Sequence, residues 1–187
     1  MIRPLVGVYA AAMNPPDRTL AGREAIMERH AASPRFRALT ALVDGQLAAF
    51  TYGFHGESGQ WWHDMVAAAL ATRSRAGAPA AEPATPRHWL DDSFEIAELH
   101  VLPGWQGNGI GRSLLLALTS GRRERTAVLS TADAPTRARR LYRDVGFTDL
   151  LTDFRFSGSE PPYAVMGAAL PLSADTPPRR PASPSSW

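Results

Sequence analysis

Along the chain, apolar residues fall into runs whose spacing switches between helical and strand periods. Leu5–Met13 and Leu20–His30 read as helices, divided by the breaker Asn14-Pro15-Pro16-Asp17. In the second, Ile26 and Met27 lie between Arg23, Glu24, Glu28 and Arg29, an apolar stripe flanked by charges at (i, i+4) spacing. Phe36–Val43 and Gln46–Phe54 are joined by Asp44-Gly45, a dipeptide that supplies positive φ for a two-residue hairpin turn. Gln60–Thr72 carries Trp62, Met65, Val66, Ala69 and Leu70 at helical spacing, and the Ala/Pro-rich Arg75–His88 follows as an irregular segment. Residues 55–93 are therefore an insertion, too long for a tight connection. The pattern then reads strand Phe94–Leu102, Gly-rich loop, helix Ile110–Ser120, strand Thr126–Thr131, helix Thr136–Val145. Strands at Thr152–Ser157 and Tyr163–Leu170 complete it. This order predicts a mixed α/β single domain over residues 1–170. The Pro/Ser-rich tail, 171–187, is expected to be disordered.

Composition narrows the chemistry. In 187 residues, 44% hydrophobic and 20% charged, there is no Cys, which excludes thiolate zinc sites, iron–sulfur clusters, disulfides and a cysteine nucleophile. Every one of the 20 basic residues is Arg, so a Walker-A loop, a pyridoxal Schiff base and a lysine base are excluded too. The pI of about 9.5 reflects two surplus arginines rather than a basic surface, since the formal charge is only +2. No nucleic-acid partner is expected. No apolar run reaches the length of a membrane span, and Leu5–Met13 is too short and too early for a signal peptide. A cytoplasmic protein with no membrane partner and no bound metal is the expectation.

The strand Phe94–Leu102 breaks its own alternation. Phe94 and Ile96 share one parity, Leu99 and Val101 the other, so a regular strand cannot keep both pairs on one face. One extra residue near Ala97–Glu98, a β-bulge, restores the register and brings Glu95, Glu98 and His100 to a common face. The alternative is a central strand buried on both sides, for which parity means little.

After this strand comes Gln106-Gly107-Asn108-Gly109-Ile110-Gly111, opening a helix. Glycines let backbone approach an anion, and the helix directs free N–H groups and its positive dipole end at it. The dinucleotide spacing G-x-G-x-x-G fails, because its last glycine falls on Arg112. Gln106-x-x-Gly109-x-Gly111 resembles the Q/R-x-x-G-x-G/A signature of the GNAT superfamily of N-acetyltransferases. Downstream, Ala138-Arg139-Arg140-Leu141-Tyr142-Arg143-Asp144-Val145-Gly146-Phe147 resembles that family's A-x-x-L-Y-x-x-x-G-F. The resemblance covers roughly residues 36–170 and is tightest over 94–147.

The resemblance implies a GNAT-like fold: a central, mostly antiparallel twisted sheet with a splayed, bulged strand, flanked by helices. It implies acetyl-CoA as co-substrate, its pyrophosphate held by Gln106, Gly107, Asn108, Gly109, Ile110, Gly111 and Arg112. Arg137, Arg139 and Arg140 are further charges at the start of the later helix. Amine attack on a thioester needs a base, for which Glu95 and Glu98 are the candidates. It needs N–H donors for the carbonyl oxygen, which backbone around Leu99, His100 and Val101 can offer. Tyr142 stands where the family commonly has the acid that protonates the leaving thiolate. Its place in an apolar stripe with Ala138, Leu141 and Val145 also suits a core residue.

Two departures stand out. Pro135 occupies the place of a usual Asn, and the family's first strand shrinks to about Met1–Pro4. Trp61, Trp62 and His63 on the insertion suit either of two readings: a roof over an acceptor site, or Trp62 as a core anchor with Trp61 half exposed. The sequence thus implies an N-acetyltransferase, monomeric or homodimeric, acting on a small-molecule or peptide amine. The alternative is a non-catalytic acyl-CoA-binding or regulatory domain of the same fold.

Overall fold

The computed structural model describes residues 2–15, 20, 22–75, 89–156 and 161–172. The elements are α1 (Arg3–Met13), α2 (Arg23–Ala31), β1 (Arg37–Val43), β2 (Gln46–Gly56), α3 (Trp61–Arg75) and β3 (Ser93–Val101). A 3-10 turn, Pro103–Trp105, leads to α4 (Ile110–Thr119), β4 (Thr126–Ala132), α5 (Arg137–Asp144), β5 (Thr148–Phe154) and β6 (Tyr163–Ala169). Six strands form one sheet in the order β1-β2-β3-β4-β6-β5. Every neighbouring pair is antiparallel except β3–β4.

That parallel pair sets the architecture. It holds only through Ser93, Phe94 and Glu95 against Thr126, Ala127 and Val128, and beyond Glu95 no residue of β3 pairs with β4. The sheet therefore opens like a V at its centre. On one face, α4 and α5 pack over Phe94, Ile96, Ala127, Leu129 and Met166 through Leu115, Leu118, Tyr142 and Val145. On the other, α1 and α2 cover β2 through Val8, Tyr9 and Met27 against Phe50, Tyr52 and Phe54. The insertion helix α3 covers the β4–β6–β5 half through Val66, with Val128, Val165, Leu150 and Leu151.

The bulge is where the parity argument required it. Tyr52 pairs with Glu98 but Gly53 with Ile96, so Ala97 is the extra residue. Phe94 and Ile96 then face the α4–α5 core, which Leu99 also flanks, while Glu95, Glu98 and His100 pair with Phe54, Tyr52 and Phe50 on the opposite face. Gly53 lies opposite the bulge. A Cβ there would collide with the Glu95 carbonyl oxygen and the Phe94 ring, so only glycine allows this close approach.

Two boundaries differ from expectation. Arg3 and Pro4 are the first residues of α1, not the end of a strand; Pro at this position pre-sets helical φ and forfeits no hydrogen bond. The strand expected at Thr152–Ser157 starts at Thr148 instead. Gly146, at φ +102°, ends α5 and turns the chain directly into β5. Register slips around Asp149–Leu151 let the adjacent Leu150 and Leu151 both be buried, which hides the strand from an alternation test. The expected irregular segment up to His88 falls largely on 76–88, and the expected tail on 173–187; both lie outside the described residues.

Candidate active site at the splayed strands

Where β3 leaves β4, a cavity of about 650 Å³ opens between α2 and the start of α3. Glu95, Ile96 and Ala97 of β3 line it with Ser130 of β4, Phe54 of β2, Arg23, Ile26, Arg29 and His30 of α2, and Trp61 and Trp62 of α3. Glu95 is 5% exposed, and its Oε2 has no hydrogen-bond partner. Burial without a compensating cation raises its pKa to about 8, because desolvation penalises the carboxylate and not the acid.

Glu98, also buried, is engaged quite differently. Its two oxygens are taken by the Arg23 guanidinium and by His100 Nε2, and its carbonyl accepts a 2.7 Å hydrogen bond from the buried Thr51 hydroxyl. Arg23 in turn lies 4.0 Å above the Tyr9 ring, and the His100 ring meets Tyr9 edge-on at 5.1 Å. This group ties α1 and α2 to the bulged strand. The side chain of His100 thus faces α1 and is not part of the cavity lining.

Tyr142 enters from the other face. It is buried among Phe94, Ile96, Leu115 and Val145, with its ring centroid 5.8 Å from that of Phe147. Burial raises the phenol pKa, and the charge of Glu98 acts in the same direction. It remains protonated throughout the physiological range.

The Gly-rich loop closes the far end of β3. Gln106 Nε2 donates to the Val101 carbonyl at 3.0 Å, beyond the point where β4 has left, and Asn108 Nδ2 donates to the Trp105 carbonyl at 3.2 Å. Gly107 and Gly109 adopt φ of +83° and +79°, and Gly109 is the N-cap of α4 with no side chain closing the helix end. Nothing lies within 4 Å of where a Cβ would sit on either glycine. Gly109 thus leaves this helix end without a side-chain cap and with open space beside its own Cα, which suits a pyrophosphate. Gly111 instead packs near Leu141 and Val101, joining α4 to α5 and β3.

The sequence had no means of seeing some of these residues. Arg23 and Arg29 read only as charges flanking an apolar stripe, and His30 only as the end of that helix, yet all three line the cavity. His30 Nδ1 is 3.1 Å from the Tyr52 hydroxyl, and burial lowers its pKa. Trp62 also lines it, donating from Nε1 to Ser130 Oγ at 3.1 Å, whereas His63 lies outside, beside Gly56 and the Leu90 carbonyl. Arg139 is not available as a phosphate ligand: it is 8% exposed and paired with Asp133 and Asp149. Arg137 and Arg140 are exposed.

Residues 74–149 match the family model described as an acetyltransferase (GNAT) domain. A GCN5-like protein acetyltransferase of Mycobacterium tuberculosis, Rv2170, is 37% identical over 134 residues, 70% of this chain. Over residues 74–149 the chain carries a GNAT acetyltransferase domain. The match spans 62% of the length of that relative. Among solved structures, the ribosomal-protein-S18-alanine N-acetyltransferase of Escherichia coli aligns over 93% of this chain and 90% of its own, with TM-score 0.60 and 15% identity. The PaiA N-acetyltransferase of Thermoplasma acidophilum, solved with coenzyme A, aligns over 90% and 92%, with TM-score 0.57 and 12% identity. These likenesses establish the GNAT fold, with its mixed sheet and flanking helices. Among the described residues, no helix is long and apolar enough to cross a membrane, and no cluster of His, Asp and Glu could hold a metal.

Proposed function

We propose that this GNAT domain transfers the acetyl group of acetyl-CoA to a primary amine by direct attack, with Glu95 as the base and Tyr142 as the acid. The observation that carries the reading is the unpartnered Glu95 carboxyl in the cavity beside the splay. The amine nitrogen forms its bond to the acetyl carbon as the carbon–sulfur bond breaks. Glu95 takes the proton the nitrogen sheds, and Tyr142 gives its phenolic proton to the departing thiolate.

A carboxyl with a pKa of about 8 suits this role better than an ordinary one. Its conjugate acid is closer in strength to an alkylammonium, so proton transfer is less uphill. Glu98 is less suited, since both its oxygens are committed to Arg23 and His100; we assign it to positioning the bulge. Backbone N–H groups of Leu99–Val101, on the stretch that has left β4, are the candidate donors to the acetyl oxygen. Gln106, Gly107, Asn108, Gly109, Ile110, Gly111 and Arg112 are the candidate coenzyme-binding residues, through the uncapped α4 amides. A soluble, cytoplasmic site of action fits the absence of an apolar spanning helix among the described residues.

The experiment is an amine panel incubated with acetyl-CoA, with free thiol measured and products weighed by mass spectrometry. Thiol release matched by a gain of one acetyl group on an amine supports the reading. Coenzyme binding without acetylation of any amine overturns it in favour of an acyl-CoA-binding domain.

A further inference from the structure

The cavity beside Glu95 has two unlike walls. The α3 side is aromatic: Trp62, half-buried and anchored to Ser130, and Trp61, 61% exposed. The α2 side is basic: Arg23, Arg29 and His30. Their charges are spent differently. Arg23 is committed to Glu98, and His30 lies beside the Tyr52 hydroxyl, where burial lowers its pKa. Arg29 is exposed on α2 and has no ion-pair partner among the described residues. Among the described residues lining the cavity, Glu95 is the sole acid, and it lies at the buried end.

We infer that the acceptor is an amine whose scaffold carries an anionic group, such as a carboxylate, on an apolar body of about ring size, with Arg29 holding the anion and the two tryptophans flanking the body. This inference rests on the acetyl-transfer reading and names its substrate class. A polyamine would need a second carboxylate for its further cations, and none of the described lining residues provides one. A carboxylate-bearing amine meets a matching set: an acid that takes the amine's proton, aromatic walls, and a guanidinium suited to bidentate carboxylate recognition. A cavity of about 650 Å³ is within the range of small-molecule sites and leaves room for the acetyl end of the co-substrate.

The test uses pairs in which an amide replaces the carboxylate, with rates referred to the free-amine concentration: L-phenylalanine with L-phenylalaninamide, and 4-(aminomethyl)benzoate with 4-(aminomethyl)benzamide. Spermidine is a third arm. Initial rates of thiol release give kcat/KM for the full chain and for Arg29→Gln and Arg29→Glu. At least one carboxylate is expected to exceed its amide by about tenfold or more. Arg29→Gln is expected to erase that preference and Arg29→Glu to invert it. Amides or spermidine turning over as well as both carboxylates, or an Arg29→Glu loss equal on both members of a pair, would overturn the inference. Calorimetric titration of the same pairs into protein saturated with coenzyme A separates the two claims. If no amine is acetylated yet a carboxylate binds tenfold tighter than its amide, the acetyl-transfer reading falls and the ligand class stands. If neither member of either pair binds or reacts, the inference is overturned.

Discussion

At the scale of single residues, two glutamates three positions apart on β3 sit in opposite surroundings. Glu98 is surrounded by cationic or polarisable partners, and Glu95 by almost none. A charge taken out of its pair while buried costs about 3–5 kcal/mol. Glu98→Gln is therefore expected to lower stability by about 3 kcal/mol in denaturant titration while leaving the midpoint of the kcat/KM–pH profile in place. A loss of kcat/KM as large as that of Glu95→Gln, with stability unchanged, would make Glu98 the base instead. Tyr142 poses a similar choice between core and chemistry. Tyr142→Phe keeps the ring that packs on Phe147 and removes only the hydroxyl. As acid, its loss is expected to lower kcat by about 10²-fold with little change in stability or acetyl-CoA affinity. A clear fall in melting temperature with normal kcat would return Tyr142 to the core.

Among the elements, β3 and the loop that follows it carry the design. The parity break in Phe94–Val101 exposed the bulge in the sequence, because a two-residue period tolerates no other way of keeping Phe94, Ile96 and Leu99 on one side. Gly53 gave no such sign. Its requirement comes from the backbone of a strand some forty residues away, which no local pattern encodes. Gly53→Ala is expected to force β2 away from β3 and cost at least about 2 kcal/mol, a larger loss than an exposed strand glycine gives. Unchanged stability would mean that the bulge tolerates a Cβ. The Gly-rich loop was legible for the opposite reason, since its residues are adjacent. Gly109→Glu places bulk and negative charge at the uncapped end of α4. The melting-temperature rise produced by acetyl-CoA, about 2.7 kcal/mol of stabilisation at a hundredfold excess over Kd, is expected to vanish in this variant. A retained shift would remove the loop from the coenzyme site. The basic wall from α2 stayed hidden because charges spaced along a short helix look alike whether they face water or a cavity.

For the whole molecule, the fold holds an uncompensated acid at the point where its sheet divides, and the proposed mechanism makes stability and activity depend on pH in opposite ways. Glu95 binds its proton more tightly folded than unfolded, with a pKa of about 8 against 4.5. Its contribution to stability is thus complete below about pH 4.5 and lost as pH rises through 8, a difference on the order of 4–5 kcal/mol. Glu95→Gln, which cannot ionise, is expected to be more stable than the parent above pH 8. The proposed mechanism requires the form the fold disfavours, because only the carboxylate can accept a proton. The most direct measurement is the ratio of kcat/KM for the parent to that of Glu95→Gln, with one amine, from about pH 6 to 9.5. Ionisation of the amine is common to both proteins and cancels. The ratio is expected to rise about tenfold per pH unit, bend near pH 8 and level off at about 10² or more. A ratio near one at every pH would contradict the account and leave water as the base.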